Sequence, residues 1–469
     1  MRWKLSNFKE NLSVILEGNV KLSYEDLQKA TDQLAEHIPD RCLIFSLCSN
    51  TIGSLLGYIS FINHRIVPLM LDAHINRELL YSLMENYKPD YFWLPSSMAN
   101  EFGHFKEIFS IYKYSLIKTP YTKEFPLYED LALLLTTSGS TGSPKLVRQS
   151  YKNIKANTES IVKYLELNET ERPITTLPMS YTYGLSIINS HLYVGASIIL
   201  TEKSLMDREF WHLFKEYEAT SFGGVPYTYE ILDKLRFFRM ELPSLRTMTQ
   251  AGGKLSLKLH KKFAEYALEN GKHFVVMYGQ TEATARMSYL PYEKSLEKCG
   301  SIGIPIPNGS FSLIDEDGNE INEPDVTGEL VYKGDNVTLG YAECGSDLIK
   351  GDEFKGKLYT GDLAKRDSDG YYYIVGRKKR FLKIYGNRVS LDETEQIIKS
   401  QFDFDCACSG MDDIMYVFIT DMSRIDDVKK FLSEKTGLNH LAFKVKYIPS
   451  IPKNDSGKIL YSALEEYYD

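Results

Sequence analysis

The chain lacks a sulphur-based scaffold. Its 469 residues include six cysteines, Cys42, Cys48, Cys299, Cys344, Cys406 and Cys408. None forms a Cys-x-x-Cys pair, no histidine cluster lies near them, and Cys406-Ala-Cys408 is too tight for a usual zinc knuckle. These absences argue against a disulfide frame and a structural metal, and predict reduced thiols in a cytoplasmic protein. No run of about 18 uninterrupted apolar residues exists, so no membrane span is expected. The N-terminus, Met1-Arg2-Trp3-Lys4-Leu5-Ser6-Asn7, lacks the apolar core of a signal peptide. Internal repeats and low-complexity tracts are missing. Positive charge is not in excess either: 55 Lys and Arg against 63 Asp and Glu leave a net charge of −8. That argues against a general nucleic-acid surface and leaves a small anionic ligand open.

What is present is a soluble, globular composition, 43% hydrophobic and 25% charged. The length is too great for one ordinary core and points to roughly two to four domains or subdomains. Ser23 is placed to N-cap an amphipathic helix that runs to about His37, with Leu27, Ala30, Leu34 and Ala35 on one stripe. Residues 42–47 read as a buried strand, 54–61 as a helix, 66–69 as a strand and 76–87 as a helix. The alternation predicts α/β layers with parallel strands. Further on, residues 174–178, 197–200 and 220–226 read as strands or strand ends, and 210–217 and 227–235 as helices. Between Gly300 and Gly340, turns such as Pro307-Asn308-Gly309 and Asp315-Glu316-Asp317-Gly318 punctuate short β segments, a small β subdomain. A boundary is expected near Gly376-Arg377-Lys378-Lys379-Arg380, which divides the chain into residues 1–376 and a small cap, residues 377–469.

Five segments carry chemistry. The first is the apolar run Leu131-Ala-Leu-Leu-Leu followed by Thr136-Thr137-Ser138-Gly139-Ser140-Thr141-Gly142-Ser143-Pro144-Lys145. Glycines let the backbone approach a ligand and turn N–H groups inward, hydroxyls add donors, and the lysine adds a mobile charge. Together they describe a polyphosphate cradle in preference to a polar surface hairpin. The spacing is not that of the Gly-x-x-x-x-Gly-Lys-Ser/Thr loop, and Leu146-Val147 reads as strand, not as the start of a helix. The second is Tyr278-Gly279-Gln280-Thr281-Glu282-Ala283-Thr284 behind the apolar Phe274-Val-Val-Met277. At a strand end, Glu282 could hold Mg²⁺ and Tyr278 could stack on a base; equally, this is a helix start with an acidic first turn. The third, Tyr359-Thr360-Gly361-Asp362, offers a carboxylate for ribose hydroxyls or a simple turn. The fourth, residues 376–389, is basic and by itself reads as a solvated surface. The fifth, Pro452-Lys453-Asn454-Asp455-Ser456-Gly457-Lys458-Ile459, puts a lysine on a small-residue loop.

In this order and spacing the segments resemble the adenylate-forming superfamily: acyl- and aryl-CoA ligases, luciferases and the adenylation domains of peptide synthetases. The resemblance covers residues from about Leu22 to Leu464. It implies an α/β fold: a large N-terminal domain of two layered α/β subdomains plus a β subdomain, and a small mobile α+β C-terminal domain that turns at a hinge near Lys379. It implies ATP and Mg²⁺, with Thr137, Ser138, Gly139, Ser140, Thr141, Gly142 and Lys145 around the β- and γ-phosphates. Glu282 would hold the metal and Thr281 would touch the α-phosphate. Gly252, Gly253, Tyr278 and Gly279 would frame adenine, and Asp362 and Arg377 the ribose. Lys458 would bridge carboxylate and α-phosphate during adenylation. Lys383 and Gly386 would line the approach of the thiol after rotation.

The expected reaction is acid activation to acyl-AMP with release of pyrophosphate, then transfer to a thiol: an AMP-forming acyl- or aryl-CoA ligase. The acceptor is CoA or the phosphopantetheine arm of a separate carrier protein, since no Leu-Gly-Gly-x-Ser motif is present. A freestanding enzyme that loads an acyl carrier protein is the near alternative. A non-catalytic nucleotide-binding module is the distant one, disfavoured because Lys458 and Glu282 are both kept. The substrate segment is Tyr181-Thr182-Tyr183, with Tyr181 where the family often has histidine. Amino-acid-activating members usually carry aspartate where this chain has Thr182, and a buried ammonium without a counter-charge is costly. An uncharged aryl or acyl acid is therefore expected in preference to an α-amino acid. For Arg286, a salt bridge to the scaffold is preferred over a second substrate carboxylate.

Overall fold

Local signals set the first elements. The Ser23 side chain accepts from the Asp26 N–H and Asp26 accepts from the Ser23 N–H, a closed capping box on the helix Tyr24–Ala35. Asn76 caps Arg77–Tyr87 by a one-way bond, its side chain accepting from the Leu79 N–H. The computed structural model describes residues 3–136, 145–378, 380–385, 387–411, 413–453 and 459–468. It divides into two compact units, Met1–Ser310 with Lys333–Leu358, and Phe311–Tyr332 with Tyr359–Asp469. The α/β class expected from the alternation is what forms.

In the first unit an eight-stranded sheet runs in the order Gly340–Ala342, Leu146–Ser150, Leu131–Thr136, Val67–Asp72, Leu43–Cys48, Tyr91–Pro95, Tyr114–Lys118, Lys106–Ile111. Its centre is parallel. Alternate residues go to opposite faces, and both faces are covered. Leu43, Phe45, Leu47, Leu69 and Leu71 pack with Leu80, Leu83 and Tyr87 of the helix Arg77–Tyr87. On the other face Ile44 packs with Leu34, Leu56 and Phe61, and Met70 with Leu55 and Ile59.

A second sheet has three parallel strands, Ser221–Gly224, Thr247–Gln250 and His273–Tyr278, followed by two short antiparallel ones, Ser288–Tyr289 and Ile304–Pro305. Residues 174–178, expected as a strand, contribute only the isolated bridge Ile174–Ile199, with Pro173–Ser221 beside it. The N–H groups of Ile174 and Thr175 donate to the carbonyls of Ser221 and Ile199, and Pro178, which closes the segment, has no N–H to extend the ladder.

The second unit holds a five-stranded sheet in the order Glu320–Ile321, Ser310–Ile314, Gly328–Lys333, Lys357–Arg366, Tyr372–Arg377. The turn Asp315-Glu316-Asp317-Gly318 belongs to it, whereas Pro307-Asn308-Gly309 lies in the first unit. It also holds the hairpin Phe381–Ile384 with Asn387–Ser390, and a three-stranded sheet, Cys406–Met411, Ile414–Ile419 and Phe443–Tyr447. The helices Leu391–Gln401 and Ile425–Thr436 pack on that sheet through Ile398, Val428 and Leu432. All six cysteines are free. Among the described residues no helix is long and apolar enough to cross a membrane.

One buried cation ties the first unit's edge to its centre. Arg148, fully buried on Leu146–Ser150, donates to the carbonyls of Tyr341 (2.9 Å), Leu339 (3.2 Å) and Gly351 (3.2 Å), and to that of Lys350, and pairs with Glu353. Burial pulls its pKa down and the Glu353 charge opposes that. Removing the guanidinium leaves several carbonyls without a donor. Arg148→Met is expected to cost about 3–5 kcal/mol, read as a lower urea midpoint with an unchanged slope. An unchanged midpoint contradicts this role.

Candidate active site

The site begins with strand register. Gln250 pairs with Val276 across the parallel strands Thr247–Gln250 and His273–Tyr278. Their C-terminal ends therefore emerge side by side, where open α/β sheets bind ligands. The four residues expected around adenine, Gly252, Gly253, Tyr278 and Gly279, sit at these two ends. Gly252 has φ +83°, and a Cβ there would lie 2.6 Å from the Tyr181 hydroxyl, so only glycine admits Tyr181 at this place. At Gly279 a Cβ would lie 1.6 Å from the Ala285 carbonyl oxygen. The chain doubles back that tightly because Thr284 (φ +62°) and Ala285 (φ +150°) both take positive φ, a conformation that costs roughly 1–3 kcal/mol for each such residue.

That strained return delivers Glu282. Thr281–Ala283 forms one 3-10 turn with Glu282 in it, so of the alternative reading, a helix start with an acidic first turn, only a single turn forms. The turn is clamped by a neighbouring segment. Asn336 donates to the carbonyls of Ala283 (2.9 Å) and Arg286 (3.1 Å), the Thr338 N–H to that of Glu282 (3.0 Å), and the Thr284 hydroxyl to that of Asn336 (2.7 Å). The Tyr341 hydroxyl then donates to Glu282 Oε1 at 2.9 Å. Burial, and next the Glu282 charge, push the Tyr341 phenol well above its ordinary pKa, which keeps it a donor. Lys145, which closes the hydroxyl-rich loop, stands 5.6 Å from the same ring centre and pairs with Glu343 at 2.7 Å. The lysine assigned to phosphate and the carboxylate assigned to metal thus meet on one tyrosine. Gln149 also reaches the Thr281 carbonyl, at 3.5 Å.

The expected substrate residues open the helix Thr182–Tyr193. Thr182 donates to the Thr284 carbonyl (3.2 Å) and is spent on the turn that carries Glu282. Tyr181 is half-buried, and burial pushes its phenol up to about 12. The Tyr183 hydroxyl shares a 2.8 Å hydrogen bond with Thr249, and its ring lies 5.2 Å from the Arg286 guanidinium. Leu177, Val225, Ala251, Val275 and Met277 complete an apolar cluster around Tyr183, and Tyr164 and Tyr289, whose rings stack on each other at 4.3 Å, pack against it. Among the described residues, the scaffold salt bridge preferred for Arg286 is not formed. Its side-chain partners are Ser186, Tyr164 and Met277.

In the second unit Asp362 and Arg377 are cross-strand partners, joined by a 3.2 Å ion pair with the carboxylate buried and the guanidinium exposed. Gly361, inside the strand Lys357–Arg366, has φ +70°, and Thr360 accepts from the Asp362 N–H at 3.1 Å. Lys383 is exposed on Phe381–Ile384. Thr137, Ser138, Gly139, Ser140, Thr141, Gly142, Lys379, Gly386 and Lys458 lie outside the described residues. Sequence reasoning passed over Tyr341, Asn336 and Arg148. Their roles come from pairing with segments remote in the chain, and Gly340-Tyr341 alone carries no recognisable pattern.

Tyr341→Phe removes the bond to Glu282 and keeps the ring under Lys145. Loss of a partner to a metal-binding carboxylate typically costs about 10–100-fold in metal affinity. Titrating ATP binding against Mg²⁺ is expected to show a shift of that size. An unchanged Mg²⁺ dependence contradicts the assignment.

Residues 98–342, just over half the chain, match the family model described as AMP-binding enzyme. Oxalate--CoA ligase of Arabidopsis thaliana is 29% identical over 355 residues, 72% of this chain and 68% of that protein. Long-chain-fatty-acid--CoA ligase of Salmonella typhimurium is 28% identical over 375 residues, 74% of this chain and 63% of its own length. Among solved structures, o-succinylbenzoate coenzyme A synthetase of Bacillus subtilis in complex with AMP superposes with a TM-score of 0.80 at 22% identity, over 99% of this chain and 98% of that one. ATP-bound MatB from Rhodopseudomonas palustris gives 0.80 at 20% identity, over 100% and 99%. At these identities the structures attest the fold. With the family match, the chain belongs to the AMP-binding enzymes, the adenylate-forming superfamily.

Proposed function

We propose that this protein is an AMP-forming acid–thiol ligase: it couples a carboxylic acid to ATP, releases pyrophosphate, and passes the acyl group from acyl-AMP to CoA. One observation carries the reading. Lys145 and Glu282, from segments of opposite charge and distant sequence, converge on Tyr341 beside the strand ends that present Gly252 and Tyr278.

The first half-reaction joins two anions, so the site has to offset their repulsion and align them. Lys145 with the loop 137–144 takes the β- and γ-phosphates. Thr281 faces the α-phosphate. Mg²⁺ fits the donor present: it takes oxygen ligands and few protein carboxylates, and Glu282 keeps Oε2 for it while Oε1 accepts from Tyr341. Bound there, the ion would neutralise phosphate charge. Asp362, oriented by Arg377 and Thr360, accepts from the ribose hydroxyls. Lys458 bridges the carboxylate and α-phosphate oxygens as charge develops. Pyrophosphate leaves as the acid oxygen bonds to phosphorus.

In the second half-reaction residues 377–469 turn about Lys379, withdraw Lys458, and bring Lys383 and Gly386 to the thiol. The thiol then adds to the acyl carbonyl and AMP departs. The acceptor is CoA; a separate carrier protein is the alternative. The free cysteines fit a reducing compartment, the cytoplasm.

Acid-dependent exchange of labelled pyrophosphate into ATP tests the first step across a panel of carboxylic acids. Exchange with at least one acid is expected, and Lys458→Ala is expected to lower it by about 10²–10³ while ATP still binds. Exchange with no acid supports a binding module and overturns the proposal. Repeating the panel with CoA and with a loaded-arm carrier separates the two acceptors by thioester formed.

A further inference from the structure

Arg286 is a charged group that this reaction leaves without a task. It is 2% exposed. Its Nε donates to Ser186 Oγ at 3.1 Å, its Nη1 to the Tyr164 hydroxyl at 3.1 Å and to Met277 Sδ at 3.3 Å, and its plane faces the Tyr183 ring at 5.2 Å. All of these are neutral groups. Among the described residues no carboxylate reaches the guanidinium. Nη2 donates to none of them. Among the described residues its two N–H groups have no acceptor.

The titratable neighbours offer no negative charge. Burial pushes the Tyr164 and Tyr183 phenols above their ordinary range. On the stripe Tyr183, Ile187, His191 of the same helix, His191 has Nε2 buried without a partner, and burial pulls its pKa down to about 4, with the Arg286 charge adding to the shift. A buried cation without a counter-charge is strongly disfavoured, and arginine does not escape by releasing its proton. The fold nevertheless holds one, inside the cluster around Tyr183 that the substrate segment lines.

Resting on the reading of that cluster as the acid pocket, we infer that the acid this chain activates is a dicarboxylic acid: one carboxylate attacks phosphorus, and the second pairs with Arg286 through Nη2. Thr182 in place of aspartate argues against an ammonium. Arg286 goes further and replaces the uncharged acid expected from the sequence with one that is anionic at both ends. A site built around a charged partner rejects the analogue that lacks it far more strongly than an apolar pocket rejects a wrong shape.

The test uses the full chain and pyrophosphate–ATP exchange. Aliphatic and aromatic dicarboxylic acids of graded length are each compared with their half methyl ester, which keeps the shape and loses the far charge. The expected result is one diacid whose kcat/KM exceeds that of its half ester by about 10²-fold or more. In Arg286→Met the diacid loses a similar factor and the half ester changes little; Arg286→Lys recovers part of the loss. The diacid also raises the melting temperature of the wild type and not that of Arg286→Met. Half esters that match or exceed their diacids throughout the set overturn the inference, as does a diacid preference that survives in Arg286→Met. The wild-type comparison decides by itself if the variants do not fold. Exchange with no acid of either kind overturns adenylation itself, and the inference falls with it.

Discussion

Electrostatic repulsion is the constraint on which this structure depends. Two unit charges 4 Å apart interact by about 4 kcal/mol at an effective dielectric of 20, and a carboxylate that approaches a triphosphate meets more than one. A site for that encounter has to hold cations and N–H groups in place before the partners arrive, because groups already oriented do not spend free energy on reorganising when charge moves. In the first unit this placement is made by a chain of contacts. Arg148 fixes the backbone of Tyr341, and Tyr341 fixes Glu282 and lies against Lys145. Asn336 and Thr338 hold the turn from the other side. The positive φ at Thr284 and Ala285 is local strain maintained by these bonds.

Much of the fold was legible because its signals are local. The Ser23 capping box, the Asn76 cap and the apolar runs at Leu43–Cys48 and Leu131–Thr136 need no knowledge of distant residues. The chemistry-bearing segments were legible by resemblance, and strand register explains why Gly252 and Tyr278 belong together. Tyr341 was not legible. Its partner Glu282 lies 59 positions away, and Arg148 reaches a carbonyl 202 positions away. A reading along the chain sees propensity and spacing, whereas these contacts arise from the order of strands in a sheet. Residues 174–178, expected as a strand or strand end, form a single bridge: the N–H groups of Ile174 and Thr175 reach Ser221 and Ile199, and Pro178 has no N–H to extend the pairing.

Arg286 shows the limit from the other direction. From sequence, a scaffold salt bridge is the sensible default for an arginine behind a strand end, since buried charges are normally paired. The structure surrounds it with a hydroxyl, a phenol, a thioether and an aromatic face. Neutral acceptors stabilise a guanidinium only in part, and this shortfall is the physical ground of the dicarboxylic acid proposed above. The same pocket contains Thr182, whose hydroxyl is engaged with the Glu282 turn. Thr182 and the turn that carries Glu282 are thus joined by one hydrogen bond.

The most direct measurement follows an oxygen atom. With an acid labelled in its carboxylate by heavy oxygen, attack on the α-phosphorus followed by thiol transfer leaves one labelled oxygen in AMP. The account predicts that labelled AMP, formed in equal amount to the thioester. Label recovered in inorganic phosphate alongside ADP, or unlabelled AMP accompanying thioester formation, would contradict it.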